Sequence, residues 1–375
     1  MDSAGSIIPK SYRRQSHNET LGYVQCTAPD HPRVSRPNFT RQVLTYDYVG
    51  FLSLERLDPT HTPLYLTFAF CVLHFLVFEV RSSPRPFAPI PRLTCILADN
   101  QVWRLPNAAA DLPTYDYIVN ACTEAGFNRN GVCIQVAGKP SLWVKYGDDY
   151  VMRGEGRTQA YVAQIVNADP ASVVRVPDVC LGFSRGGRGY IVMDYVHGKT
   201  IDNRKSPTGN YYEKDVEAAA AAVKQLIDVK MPADTAPGPV GGGLIGHDFF
   251  VDCLSDCKYS TVGQLQAQVN EVLRIQGQGL RVDFQTETAN GLILCPSDLH
   301  ASNFIIDDEE KLWAIDFGRT CFLPPSFMSF SLKRSWDVFV HCVAQRLQYP
   351  RSANLYAVSL ASGLMLVCGN NALGK

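Results

Sequence analysis

Leu292-Ile293-Leu294-Cys295-Pro296-Ser297-Asp298-Leu299-His300-Ala301-Ser302-Asn303-Phe304-Ile305-Ile306-Asp307-Asp308-Glu309-Glu310-Lys311-Leu312-Trp313-Ala314-Ile315-Asp316-Phe317-Gly318 is the stretch of this 375-residue chain from which its architecture can be worked out. The apolar runs 292–294, 304–306 and 312–315 predict three short strands. Asp307-Asp308-Glu309-Glu310 lies between the second and third and predicts the turn of a hairpin, with its acids at a solvated tip. The other polar residues gather at strand ends. Asp298 stands five positions before Asn303, and Asp316-Phe317-Gly318 closes the hairpin.

That spacing suits one chemistry. A hydroxyl is a poor nucleophile, and phosphoryl transfer needs it held in line with the phosphorus. A carboxylate that accepts its hydrogen bond supplies both alignment and a place for the proton. Asp298 is the candidate. An amide carbonyl oxygen and a carboxylate are hard ligands suited to magnesium, which makes Asn303 and Asp316 the candidate metal pair. Taken singly, a D-x-x-x-x-N spacing is an ordinary turn and Asp-Phe-Gly an ordinary strand end. Together, after apolar strands, they have the spacing of a kinase-type phosphoryl-transfer site.

Such a site needs a cation for the nucleotide phosphates. Leu142-Trp143-Val144-Lys145 is an apolar strand ended by a lysine. Glu155, at the head of the next helix, is the carboxylate that can hold it. Two exposed charges are the plainer alternative. Residues 189–196 read as a buried strand running into a linker, where backbone groups of Asp194, Tyr195 and Val196 can meet an adenine edge, with a simple core residue as the alternative for Tyr195. Gly126-Phe127-Asn128-Arg129-Asn130-Gly131 occupies the place of a phosphate-covering loop, although two glycines also suit a simple turn.

Around the site the chain is regular. Residues 118–122 end a short helix, 132–136 and 142–145 are strands, and 154–168 form a helix with Tyr161, Val162, Ile165 and Val166 on one face. Residues 212–229 form another helix. Its apolar stripe is Val216, Ala219, Ala220, Val223, Leu226 and Ile227, its first turn carries Glu213 and Asp215, and Pro232 stops it. A glycine-rich loop at 238–243 can line the cleft or merely turn the chain. A second amphipathic helix covers 262–275, and 331–348 and 353–367 are helical. The expected fold is α+β and bilobal: a small β-rich lobe with its linker over 94–196, and a larger helical lobe over 197–375 that carries the hairpin.

Residues 1–60 are polar, without period, and read as poorly ordered. Residues 61–93 hold an apolar run, 63–80, and a Pro-rich linker. The run falls slightly short of the ~20 residues of a membrane span and contains His74 and Glu79, so packing against the next domain is the alternative. No apolar run follows Arg13 and Arg14, and no signal peptide is expected. Twelve cysteines include no CxxC, and Cys253 and Cys257 have no partners at zinc spacing. Free thiols in a reducing, cytoplasmic setting are expected, with a structural disulfide or metal site as the alternative. A net charge of −1 and a pI of about 6.7 provide no global field to attract nucleic acid.

These motifs resemble the aminoglycoside phosphotransferase/choline kinase-like family of the protein kinase-like superfamily, in particular its divergent fungal-type members. The small-lobe pattern is similar at Val144-Lys145 and at Glu155 through Val162. The hinge phrase is similar at 190–198, and the catalytic phrase, usually His-Gly-Asp-Leu-His-x-x-Asn, at Pro296-Ser297-Asp298-Leu299-His300-Ala301-Ser302-Asn303. The resemblance covers roughly 95–375. It implies a protein kinase-like fold, ATP or GTP with Mg2+, and transfer to a hydroxyl of a small molecule. On that match Asp298 is the base, Asn303 and Asp316 hold the metal, and Lys145 binds phosphate.

Pro296-Ser297 replaces the family's His-Gly, whose histidine braces the loop, and the glycine-rich loop is degenerate. These departures keep open a pseudokinase that acts as a nucleotide- or ligand-binding module. No Ala-Pro-Glu follows Gly318, which favours a small-molecule acceptor over a peptide. Trp336 and Asp337 are candidate contacts for a cationic acceptor, with a packed Trp beside a helix-start Asp as the alternative. A membrane tether through 63–80 is the remaining variant.

Overall fold

The computed structural model describes residues 102–103, 112–127, 131–135, 138, 141–232, 235–334 and 337–369. The expectations for 1–60 and for the apolar run and linker of 61–93 lie outside these residues, as does Trp336. In chain order the elements are β1 (Val102–Trp103), α1 (Tyr115–Glu124), β2 (Gly131–Ile134), β3 (Leu142–Asp148), α2 (Asp149–Val166), β4 (Val179–Arg185), β5 (Arg188–Asp194), β6 (Lys199–Thr200), α3 (Glu213–Ile227), α4 (Val262–Ile275), α5 (Phe284–Glu287), β7 (Ile293–Pro296), β8 (Phe304–Ile306), β9 (Leu312–Ala314), β10 (Thr320–Leu323), α6 (Pro325–Arg334), α7 (Val338–Leu347) and α8 (Leu355–Cys368).

The small lobe is one antiparallel sheet in the order β1-β4-β5-β3-β2. Period-two alternation sorts β3. Leu142, Val144 and Tyr146 are buried, while Trp143 and Lys145 take the other face. The first set packs with Ile118 and Cys122 of α1 and with Phe183, Tyr190 and Val192. Phe183 and Tyr190, paired across β4 and β5, stack with ring centroids 4.8 Å apart. The other face of the sheet receives α2, through Met152, Ile191 and Met193. Lys145 therefore points toward α2 because it is out of phase with the core.

The helical lobe is built around the apolar stripes of α3, α4, α7 and α8 and a cluster of Phe249, Phe284, Phe327 and Phe330. Within it, β8 and β9 form the expected hairpin, flanked by β6. The first strand of the quoted stretch is not part of that hairpin. It pairs instead with β10, residue for residue from Thr320↔Pro296 to Leu323↔Ile293.

Several boundaries differ from the sequence reading. Helix α2 begins five residues earlier than the expected 154, because β3 runs on to Asp148, whose extended backbone is the N-cap. The helix expected over 331–348 is two: α6 ends at Arg334, and Asp337 caps α7 by accepting from the N–H groups of Phe339 and Val340 at 2.7 and 3.4 Å. Strand β4 carries no clean alternation and was not anticipated. Cys257 and five other described cysteines are free thiols, whereas Cys342 is disulfide-bonded, which departs from free thiols throughout. Among the described residues no helix is long and apolar enough to cross a membrane.

At the hairpin tip Asp308, Glu309 and Glu310 are exposed, as expected, and Asp307 is half-buried. Asp307 accepts from the N–H groups of Glu309 and Lys311 at 2.9 and 2.8 Å and from the Trp313 indole at 2.8 Å. Glu310 pairs with Arg204 and with Lys214 of α3. Burial acts to raise the Asp307 pKa, but these donors outweigh it and hold the carboxyl below its usual range. A carboxylate lowered in the folded state stabilises above its unfolded pKa, and the benefit is lost as pH falls through the folded value. Asp307→Ala is expected to cost about 1–2 kcal/mol at pH 7. Urea denaturation at neutral and acid pH checks this: the two proteins should converge in strong acid.

Candidate active site

Lys145 sits where three elements meet. Its Nζ donates to Glu155 Oε1 of α2 at 2.6 Å and to Asp316 Oδ1, beyond β9, at 2.7 Å. The Glu155 side chain is almost wholly enclosed and that of Lys145 is 16% exposed. Burial pulls the lysine pKa down, yet the two carboxylates outweigh it and the ammonium is held above its usual range. For Glu155 burial dominates. Its carboxyl is raised despite Lys145, and the charge of Asp316 adds to the rise.

Asp316 occupies left-handed backbone space, φ 62° and ψ 75°. A non-glycine residue in that region is strained and is kept there only by its surroundings. Its Oδ1 also accepts from the Gly318 N–H at 3.4 Å, and its Oδ2 makes no hydrogen bond with the described residues. Gly318 has a packing reason to be glycine. A Cβ there would lie 3.1 Å from Glu155 Oε2 and 3.4 Å from Asp316 Oδ1, wedged into the cluster.

These distances join a lysine of the central strand, a glutamate of the adjoining helix and an aspartate after a hairpin of the other lobe. The chain has a protein kinase-like fold. Solved structures similar to it include aminoglycoside phosphotransferase APH(4)-Ia, at 14% identity and TM-score 0.40 over 68% of this chain and 93% of that one. Another is APH(3'')-Id from Streptomyces rimosus with ADP and streptomycin, at 15% identity and TM-score 0.37 over 67% and 99%. A third is the streptomycin–ATP complex of APH(2'')-IIa, at 16% identity and TM-score 0.34 over 67% and 87%. No family model and no curated protein matches the chain. At this distance the likenesses say nothing of substrate, and the fold assignment rests on strand order and on the meeting at Lys145. The narrower fungal-type resemblance has no counterpart in these three.

The loop from β7 to β8 brings Asp298 and Asn303 to the same end of the lobe. Asn303 donates its Nδ2 to the Asp298 carbonyl at 2.9 Å, and its own carbonyl accepts from Ile315 N–H at 2.9 Å. The second bond sets Asn303 beside Asp316. The first engages Nδ2, so that Oδ1, which accepts from the Ser302 hydroxyl at 3.4 Å, is the amide atom that could hold a cation. The Asp298 carboxylate makes no hydrogen bond with the described residues.

The departure at Pro296-Ser297 has a structural answer. Ser297 is buried, and both its N–H and its hydroxyl donate to the carbonyl of Arg319, at 3.0 and 2.9 Å. The start of the Asp298 loop is thus tied directly to the residue after Asp316-Phe317-Gly318. Sequence reasoning registered only the missing histidine. A small hydroxyl residue opposite a strand end was the available signal.

The linker residues are unequal. Asp194 and Tyr195 have their N–H groups bonded to the carbonyls of Asp178 and Ser141, at 3.1 and 3.2 Å. Val196 makes no backbone hydrogen bond with the described residues, so its N–H could donate to an adenine edge. The phosphate-covering loop is described only in part: Asn128–Asn130 lie outside the described residues, and Phe127 packs edge-on against Tyr146. The glycine-rich loop at 238–243 lies along α2 and bonds to β10. Asp337, besides capping α7, approaches His300 Nε2 at 3.3 Å. His300 Nδ1 meanwhile holds the Ser302 hydroxyl at 2.7 Å, so this imidazole links the Asp298 loop to α7.

Ser297→Ala should lower stability by about 1 kcal/mol, the worth of one partly buried hydrogen bond, because the backbone N–H still serves Arg319. Gly318→Ala should cost more than Ser297→Ala, since its new methyl meets the two carboxylates and not open space. Chemical denaturation of the two variants side by side decides between them.

Proposed function

We propose that the protein transfers the γ-phosphate of ATP, or of GTP, to a hydroxyl of a small molecule. The observation that carries this reading is the closed Lys145–Glu155–Asp316 cluster beside an Asn303 whose Nδ2 is already engaged. Lys145 would neutralise the α- and β-phosphates, and Glu155 would hold it there. The donor set suits Mg2+. This ion needs one or two protein oxygens and completes its shell with phosphates and water, so Asn303 Oδ1 and Asp316 Oδ2 suffice. Bound there, the metal would neutralise charge on the transferring group.

Asp298 would accept the acceptor's hydroxyl proton, and the linker would receive the nucleobase at Val196, with Asp194 and Tyr195 as its frame. On this reading residues 94–196 would be the nucleotide lobe with its linker, and 197–375 the helical lobe that bears the acceptor. APH(3'')-Id and APH(2'')-IIa were crystallised with streptomycin, but the acceptor of this chain is a separate question. The braced Ser297 weighs against the binding-module alternative, because the missing histidine was its motive.

Thermal unfolding with ATP, with and without magnesium, tests the site. A ligand that binds only the native state adds about 2.7 kcal/mol at a hundredfold excess over Kd. A magnesium-dependent rise in midpoint is expected, and Asp316→Ala should abolish it. Asp298→Ala should keep that rise yet lose phosphate transfer by a factor on the order of a thousand in an acceptor screen. No rise with either nucleotide in the wild type would move the reading to a non-catalytic binding module.

A further inference from the structure

Helix α2 follows β3 and belongs by connection to the small lobe, yet the helical lobe also holds it. After α3, residues 237–244 run back along the turn of α2 that carries Glu155. Val240 N–H donates to the hydroxyl of Thr158, which is fully buried, at 3.0 Å. Arg157 donates to the Gly241 carbonyl at 3.2 Å. Pro239 packs so closely on Gly154 that a Cβ at 154 would lie 3.0 Å from its ring.

The other side of the same segment is fixed to the strand beyond Asp316. Gly238 exchanges two backbone hydrogen bonds with Phe322 of β10, at 3.0 and 2.8 Å. Gly246 lies so close to the Gly318 carbonyl that a Cβ there would come to 2.3 Å. Gly154, Thr158 and Glu155 are helical neighbours, so a contact on the first two sets the rotation of the third. A helix held by its own lobe alone can swing and withdraw its glutamate. This one is strapped at the glutamate's own turn to the segment that presents Asp316.

We propose that residues 237–244 are a positioning strap that holds Glu155 against Lys145, with Thr158, Gly154 and Pro239 as its working contacts. The strap makes the cluster self-assembled, with no modification or partner needed to close it. This inference deepens the phosphotransferase reading and rests on it for its functional meaning, although the pair it governs can be followed without nucleotide.

The experiment is acylation of Lys145 in the full-length protein by a water-soluble N-hydroxysuccinimide acetate, mapped by mass spectrometry. An Nζ no longer held against Glu155 is reached more often by the reagent and labels faster. Thr158→Val keeps the side-chain volume but removes the hydroxyl, and should speed Lys145 labelling about fivefold, the equivalent of one hydrogen bond. Gly154→Ala should do the same by pushing on Pro239, and Pro239→Gly in that background should restore the wild-type rate. In a Glu155→Gln background Thr158→Val should change the rate less than about twofold, because its effect passes through Glu155.

Equal acceleration in both backgrounds would overturn the proposal, and so would unchanged labelling in Thr158→Val and Gly154→Ala. Failure of wild-type protein to bind magnesium–ATP would remove the nucleotide reading while leaving the labelling result to decide on the strap.

Discussion

A buried ammonium shared by two carboxylates is the constraint on which this structure turns. Taking a charge out of water is costly, and removing one partner of such a pair leaves an uncompensated charge, at a cost of about 3–5 kcal/mol. Lys145 comes from the middle of a sheet, Glu155 from a helix and Asp316 from a loop 171 residues further along the chain. Keeping the three together obliges sheet, helix and hairpin to hold one relative placement. The left-handed backbone of Asp316 is part of that cost, and its bonds to Lys145 and to the Gly318 N–H offset it.

The neighbouring loop shows how a proline at a strand end is accommodated. Pro296 has no N–H to give to the ladder. Ser297 takes over at the next position with two donors to one carbonyl, and Arg319 is thereby bound to the start of the Asp298 loop. Arg319 itself lies among Asp298, Asp248, Asp316 and Cys253. Burial alone would lower its pKa, but these neighbours together hold it above the usual value. The backbone therefore couples the two acidic positions independently of the missing histidine.

Much of this was legible in the chain. An apolar run marked the strand that carries Lys145, although β3 runs on to Asp148, and the stripe of 212–229 located α3 to within two residues at each end. The hairpin of Phe304–Ile306 and Leu312–Ala314 was evident from apolar runs around an acidic turn. What escaped is non-local. No local pattern says that Ile293–Pro296 pairs with Thr320–Leu323, that Asp337 breaks one expected helix into two, or that a glycine-rich loop lies on α2.

The sequence by itself determined the residue types and their spacing: a lysine on an apolar strand, a glutamate in the helix that follows, and Asp298, Asn303 and Asp316 beside three short strands. These follow from short-range sterics and periodicity, which operate within a few residues. The structure sets Lys145 inside β3 and Glu155 inside α2 and not at their ends. Only the tertiary structure decided that the five share one end of one molecule. It also decided that Val196 makes no backbone hydrogen bond with the described residues while Asp194 and Tyr195 do, and that Ser297 stands in as a brace. Those outcomes depend on hydrogen bonds between groups far apart in the chain, and their partners are selected only when the whole core packs.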